Sequence, residues 1–560
     1  MKKWLVFVII LFVSKFSIAQ KSKNSVAAVK RLSSKKSEQV NRKYPKIVIG
    51  IMIDQMRWDY LYRYQNRYSK NGFNRILNEG FNCQNTFIPY TPTATACGHA
   101  CVYTGSVPAI NGITGNNWWD EKLGKSITSV EDNTVQTVGS NTKEGQQSPH
   151  SLKTNTIGDE LKLATNFKSK TIGISIKPRA SILPAGHLAD AAYWYDEKAG
   201  KFITSTFYMQ QLPTWAEAFN NRKLPDSLYK LGWNTLYPLN TYTNSTNDTA
   251  NWEETKWMEV DKAVFPYSLE KFIGKDYKKL PYIPQGSDYT LLMAKAAIEG
   301  ENLGKSTVTD FLAVSLSSCD YMGHSFGPNS IEAEDMFLRL DKSLADFFEY
   351  LDNRFGKGNY TTFLTADHGV AHVADFAKSK KLPAGNYNSD ALVKQANKAC
   401  FEKFGVDKII FHQTYYNLSL DLNKINNAKL NIAEVKETII NALQNMEGIY
   451  RVIDKEKLEN SNLPQPIRER VINGYYPSRS GQLQIIPLPQ WYKDNPKGTD
   501  HSVWNPYDAH IPLLWYGFGI KKGQSFREVY MTDIAPTIAA LLNIQMPNGC
   551  VGKVIEEVLK

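Results

Sequence analysis

Cysteine is scarce in this chain: six in 560 residues, with no Cys-x-x-Cys pair, which leaves no sulfur framework for a zinc site. Beyond the first twenty residues no apolar run reaches the roughly 20 residues that a membrane helix needs, and no internal repeat is visible. Net charge is missing from the bulk of the chain as well. The 66 Lys/Arg outnumber the 55 Asp/Glu, yet residues 1–46 hold twelve of the former and, in Glu38, a single one of the latter. Everything after residue 46 is formally balanced, so the basic total gives a folded surface no electrostatic footprint for nucleic acid.

What the first residues do contain is an address. Lys2 and Lys3 precede an apolar stretch from Trp4 to Val13, and Ser17-Ile-Ala19 supplies a small-residue cleavage site. Residues 1–19 therefore read as a secretory signal peptide. No Cys stands at the cleavage point, which argues against a lipid anchor. Residues 20–45, rich in Lys and Ser, read as a disordered basic tail. The expectation is a periplasmic or secreted protein without stable membrane insertion, with no obligate protein partner evident. Residues 46–560 read as a single folded domain of ordinary globular composition, 42% hydrophobic and 22% charged over the whole chain. The even number of cysteines permits disulfides in such a compartment, but six allow fifteen pairings and sequence does not choose among them.

Along the domain one pattern repeats: a continuous apolar run that stops at a charge. Lys46-Ile-Val-Ile-Gly-Ile-Met-Ile-Asp54 is the first instance. Thr171–Ile176 leads into Lys177-Pro-Arg179, Thr309–Leu316 into Asp320-Tyr-Met-Gly-His324, and Tyr360–Ala366 into Asp367-His368. Ile511–Tyr516 follows a segment holding His501 and His510. Buried parallel strands read this way. Between them lie amphipathic stretches, the clearest from Ile331 to Phe355 with Ser330 as N-cap, and shorter ones at 433–446 and 533–542. The fold expected is α/β, a mostly parallel central sheet with helices on both faces and a site along its carboxyl edge. Two intervals break the rhythm, at about 184–290 and 373–500, and read as insertions covering that site.

Three hydroxyls, Thr91, Thr93 and Thr95, crowd the approach to a helix expected to begin near Ala96. A hydroxyl there is usually a cap, but it can also be a nucleophile beside an anion site. The strand-end residues bear on the choice. Asp54, Asp320, Asp367, His324, His368 and His501 form an Asp/His set without sulfur, which suits catalytic zinc. Six ligands are too many for one open zinc and divide into two sets of three. Two zinc ions about 4 Å apart can clamp the attacking and leaving oxygens of a phosphoryl displacement.

The segments Ile53-Asp54-Gln-Met-Arg57, Tyr90-Thr-Pro-Thr-Ala-Thr-Ala-Cys-Gly-His99, Gly112-Ile-Thr-Gly-Asn-Asn-Trp-Trp119, Ile176-Lys-Pro-Arg-Ala180, Asp320-Tyr-Met-Gly-His324, Thr365-Ala-Asp-His-Gly369, Gly498-Thr-Asp-His501 and Thr532-Asp-Ile-Ala-Pro536 together resemble the alkaline phosphatase superfamily. They are most similar to its phosphate-irrepressible periplasmic alkaline phosphatases of Bacteroidetes-type bacteria. The resemblance covers roughly residues 46–560. It implies Thr95 as nucleophile, forming a covalent phosphothreonine and also ligating metal. It implies one zinc on Asp54, Asp367 and His368, and a second on Asp320, His324 and His501. Asn116, Lys177 and Arg179 would contact phosphate oxygens, with the backbone turn deciding between Asn116 and its neighbour Asn117. His501 is preferred to His510, because Gly-Thr-Asp-His matches the family and His510 immediately precedes an apolar strand.

Among the relatives, sulfatases need a Cys or Ser in a Cys/Ser-x-Pro-x-Arg context, and Cys97 is followed by Gly-His-Ala-Cys instead. Cytosolic phosphoglycerate mutases conflict with the leader. A nucleotide pyrophosphatase/phosphodiesterase remains the rival. Two cations, Lys177 and Arg179, favour the dianion of a phosphate monoester, so the reading is a two-zinc phosphomonoesterase acting on small-molecule monoesters. An exported binding protein with a degenerate site is the other class, and the full set of six ligands plus Thr95 argues against it.

Overall fold

The computed structural model describes residues 43–560 except 121, 122 and 494. The signal peptide and nearly all of the basic tail lie outside the described residues. Ile47–Ile53 is buried along its whole length and sits near the middle of an eleven-stranded sheet. Asp310–Leu316 pairs on one side of it and Thr361–Thr365 on the other, both parallel. Thr171–Ser175 and then Ala191–Asp196 continue the parallel run. A strand buried on both faces can be apolar at every position, and this is why these segments read as unbroken hydrophobic runs.

The flanks are antiparallel, so the sheet is mixed around a parallel core. Leu513–Gly517 runs against Thr361–Thr365. It is separated from the two-residue strand His510–Ile511 by Pro512, whose missing N–H breaks the ladder. Phe81–Phe87 pairs antiparallel with Leu513–Gly517 and therefore points the same way as the core strands. At the far side Ala191–Asp196 pairs antiparallel with Lys201–Ser205. Thus the 184–290 interval does more than cover the site, because it supplies two strands of the central sheet.

The helix read from sequence at Ile331–Phe355 has those bounds, and Ser330 Oγ accepts the Ala333 N–H at 3.1 Å as its cap. Residues 373–500 build a layer of their own. Ile410–Thr414, Asn417–Leu420, Leu483–Pro487 and Ile449–Asp454 form an antiparallel sheet. It shares a separate apolar core with the helices Ser389–Phe404 and Ile432–Leu443. Tyr415, at the tip of the first hairpin of that sheet, packs against both this core and the main one. Residues 44–560 form one compact unit, and no helix among the described residues is long and apolar enough to cross a membrane.

Candidate active site

Because the core strands are parallel, their carboxyl ends share one edge, and the chemistry collects there. Asp54 follows Ile53, Lys177 follows the Thr171–Ser175 strand by two residues, and Asp367 follows Thr365 by two. Asp320 and His324 lie on the helix Ser318–Phe326, directly after Leu316. Phe87 also ends at this edge, and eight residues later comes Thr95. His501 arrives from the loop that closes the 373–500 layer.

Thr95 is the first residue of the helix Thr95–Thr104, and the N-cap position belongs to Ala94, which has no capping side chain. The Thr95 hydroxyl is therefore not a cap. It is buried, and its Oγ lies 3.5 Å from His368 Nε2. Asn116 returns to the same helix start, its Oδ1 accepting the Ala96 N–H at 2.9 Å. Asn117 instead turns away, its amide reaching Ser126 on the neighbouring hairpin at 3.4 Å. Thr93 holds the backdrop, since its Oγ donates to the Val503 carbonyl and its own carbonyl lies 2.7 Å from His501 Nδ1.

Two triads of possible metal ligands assemble, Asp54 with Asp367 and His368, and Asp320 with His324 and His501, each with ligand atoms within 4.8 Å of one another. These are the two sets of three expected from the sequence. The rings of His368 and His501 stack at 3.6 Å between centroids, joining the triads. His324 Nδ1 is engaged by the Thr499 carbonyl at 2.9 Å and His368 Nδ1 by the Gly369 carbonyl at 2.9 Å. That leaves Nε2 of each ring facing the carboxylates, the orientation a metal-ligating histidine needs.

Metal ions fit this donor set. Asp54 Oδ1 and Asp367 Oδ2 are buried without a hydrogen-bond partner, an arrangement that costs free energy unless a cation satisfies them. Three buried carboxylates face one ammonium, Lys177, whose Nζ donates to Asp54 Oδ2 at 2.7 Å and also to Asp320 Oδ2. Burial, reinforced by the charges of Asp320 and Asp367, holds the Asp54 carboxyl well above its usual range. Burial alone would lower Lys177, but Asp320 and Asp54 outweigh it and raise the ammonium. His324 is likewise pulled down by burial and raised more strongly by Asp320, to about 9.

Arg179 stands one residue beyond Pro178 in the first turn of the helix Pro178–Ala185. Its guanidinium forms no ion pair among the described residues, and its Nε is buried without an acceptor. His510 is elsewhere, stacked on Trp58 and Phe87 with Nε2 3.0 Å from the Gln84 carbonyl. His99 is buried beneath the site, with Nδ1 2.9 Å from the Thr95 carbonyl and 3.3 Å from Asp367 Oδ2.

Two contributors carry no sequence signal of their own. Gln55 adopts φ +62°, an uncommon conformation for a non-glycine residue. From there its N–H reaches Asp367 Oδ1 at 3.1 Å and its side-chain amide reaches Asp320 Oδ1 at 2.7 Å, one contact to each triad. Tyr415 accepts the Asn116 backbone N–H at 2.7 Å from 299 residues away.

Residues 48–509 match the family model described as type I phosphodiesterase / nucleotide pyrophosphatase. The alkaline phosphatase PhoV of Synechococcus elongatus is 51% identical over 92% of this chain and 93% of its own length. The chain belongs to the alkaline phosphatase superfamily. Within it, the alkaline phosphatase PafA of Elizabethkingia meningoseptica is 47% identical over 94% of this chain and 96% of its own. The crystal structure of PafA superposes with a TM-score of 0.90, covering 92% of this chain and 99% of that one. A further relative, from Myroides odoratus and named a calcium-transporting ATPase, is 50% identical over 92% of this chain and 95% of its own length. As a superfamily member the chain is an enzyme of alkaline phosphatase type, a hydrolase with two metal-binding groups beside a buried threonine.

Proposed function

We propose that this chain is an exported, two-zinc phosphomonoesterase that passes through a phosphothreonine at Thr95. The observation that carries the reading is the position of Lys177, whose single ammonium contacts one carboxylate of each triad. A fixed cation there, with Arg179 beside it, suits the two unbridged charges of a monoester better than the one of a diester. Zinc held by Asp54, Asp367 and His368, and by Asp320, His324 and His501, would lower the pKa of the Thr95 hydroxyl and offset charge on the leaving oxygen. Nitrogen and oxygen donors without sulfur support zinc as the metal.

The protein's own part is then positioning. Thr95 Oγ, at the N-terminus of its helix, forms the bond to phosphorus as the ester P–O bond breaks and the leaving oxygen takes the electron pair. The Asn116 amide, Lys177 and Arg179 hold the remaining phosphoryl oxygens. Water then cleaves the phosphothreonine, which restores the hydroxyl and releases phosphate. Export is supported by the leader sequence, and small-molecule substrates by the absence of a basic face after residue 46.

Phenyl phosphate, its methyl diester and phenyl sulfate, offered with and without chelation and zinc restoration, test the reading. Monoester turnover that dominates, falls on chelation and returns with zinc supports it. The family description also names diesterases, so a preference for the diester would transfer the site to that reading. No turnover at full metal occupancy would leave a binding protein.

A further inference from the structure

A cavity of about 210 Å³ adjoins the phosphate cations and is walled by Lys177, Arg179, Glu197, Lys198, Lys278 and Tyr321, among others. Tyr321 directly follows Asp320, so the same cavity borders the triad assigned to the leaving oxygen. Its acidic groups are already engaged. Glu197 accepts the Tyr321 hydroxyl at 3.3 Å, and Glu144 pairs with Lys198 at 2.6 Å. Its cations are not all engaged. Lys278 forms no ion pair among the described residues, and Arg179 keeps a buried Nε–H without an acceptor. A buried unspent donor, a free ammonium and room for a phosphate with its waters describe an anion site.

We propose that this cavity binds a second anionic group carried by the leaving group, so that phosphoanhydrides are substrates of the site. The inference rests on the monoesterase reading above and names a substrate class for it. With inorganic pyrophosphate, Thr95 Oγ bonds to one phosphorus while the bridging P–O bond breaks. The electron pair departs with the second phosphate, held by Lys278 and Arg179, and the hydroxyl proton passes to water. A water molecule then cleaves the phosphothreonine to give the second orthophosphate. No oxidant or co-reactant is needed.

The test compares pyrophosphate with phenyl phosphate, whose leaving group has no second charge beyond the breaking bond, using the metal-loaded enzyme and two variants. Lys278→Ala is expected to lower kcat/KM for pyrophosphate about fivefold through KM, and Lys278→Glu about twentyfold, with phenyl phosphate within about twofold. Raising the salt concentration should narrow the wild-type preference, because Lys278 is exposed. The proposal is overturned if wild type turns over phenyl phosphate but not pyrophosphate, or if both substrates lose equally in the variants. Failure of phenyl phosphate itself would instead strike the monoesterase reading, so the two failures separate.

Discussion

The backbone N–H of Asn116 donates to Tyr415 Oη at 2.7 Å, tying the loop that meets the Thr95 helix to a hairpin in the other apolar core. Contact is close on the ring side as well, since a Cβ at Gly115 would lie 2.4 Å from the Tyr415 ring. Tyr415→Phe keeps the ring and removes the acceptor. Activity toward phenyl phosphate should fall about tenfold in kcat/KM, equivalent to about 1.4 kcal/mol. In an Asn116→Ala background the same change should cost little, because Tyr415 would act through that loop. Equal losses in both backgrounds, in a double-mutant cycle with metal content checked, would detach Tyr415 from Asn116.

Lys177 offers a test of charge. Lys177→Ala removes the one ammonium shared by Asp54 and Asp320 and should penalise a monoester at least tenfold more than its methyl diester. Proportional losses on both substrates would count against the dianion argument. Thr95→Ala, whose side chain makes one hydrogen bond, to His368, should leave the thermal midpoint nearly unchanged. It should abolish the phosphoenzyme trapped on acid quench.

Much of this site is legible in the chain because strands buried on both faces leave a one-dimensional mark. Asp54, Lys177, Asp320 and Asp367 end such runs, and parallel pairing brings those ends to one edge. The Ile331–Phe355 helix is legible for a similar reason, a broad apolar stripe behind a serine cap. Tyr415 and Gln55 are not, since neither belongs to a periodic pattern and each acts through a contact at long sequence separation. Ala191–Asp196 and Lys201–Ser205 hide among aromatics, where burial of every residue of the first strand erases the alternation that marks a strand. The antiparallel sense of Leu513–Gly517 is hidden too, because apolar runs do not encode direction.

Gly98 shows how closely the nucleophile helix approaches the metal ligands. A Cβ there would lie 2.5 Å from the Asp367 Cβ and 2.6 Å from its carbonyl oxygen, so backbone would have to move. Gly98→Ala should therefore displace Asp367 and weaken metal retention by tenfold or more, about 1.4 kcal/mol. Metal titration after chelation reads this directly, and excess metal should restore part of the activity. Unchanged metal affinity would mean that the helix shifts without dragging Asp367.

His372 gives the chain an acid-sensitive element apart from the triads. Burial, with Arg57 and Arg63 adding to it, holds the imidazole down at about 3 against an ordinary 6.5, and its Nδ1 faces Asn329 Oδ1 at 2.5 Å. A histidine kept neutral in the fold binds fewer protons there than in the unfolded chain. Its contribution is present above pH 6.5 and is lost as pH falls below that value, by up to about 1.4 kcal/mol per unit. His372→Gln cannot titrate, so between pH 6.5 and about 4 its stability should decline less steeply than that of wild type. Denaturant midpoints of both proteins, taken after chelation to remove metal linkage, measure the difference in slope. Parallel curves would place the charge of His372 in solvent, and a steeper decline in the variant would reverse the sign of the assignment.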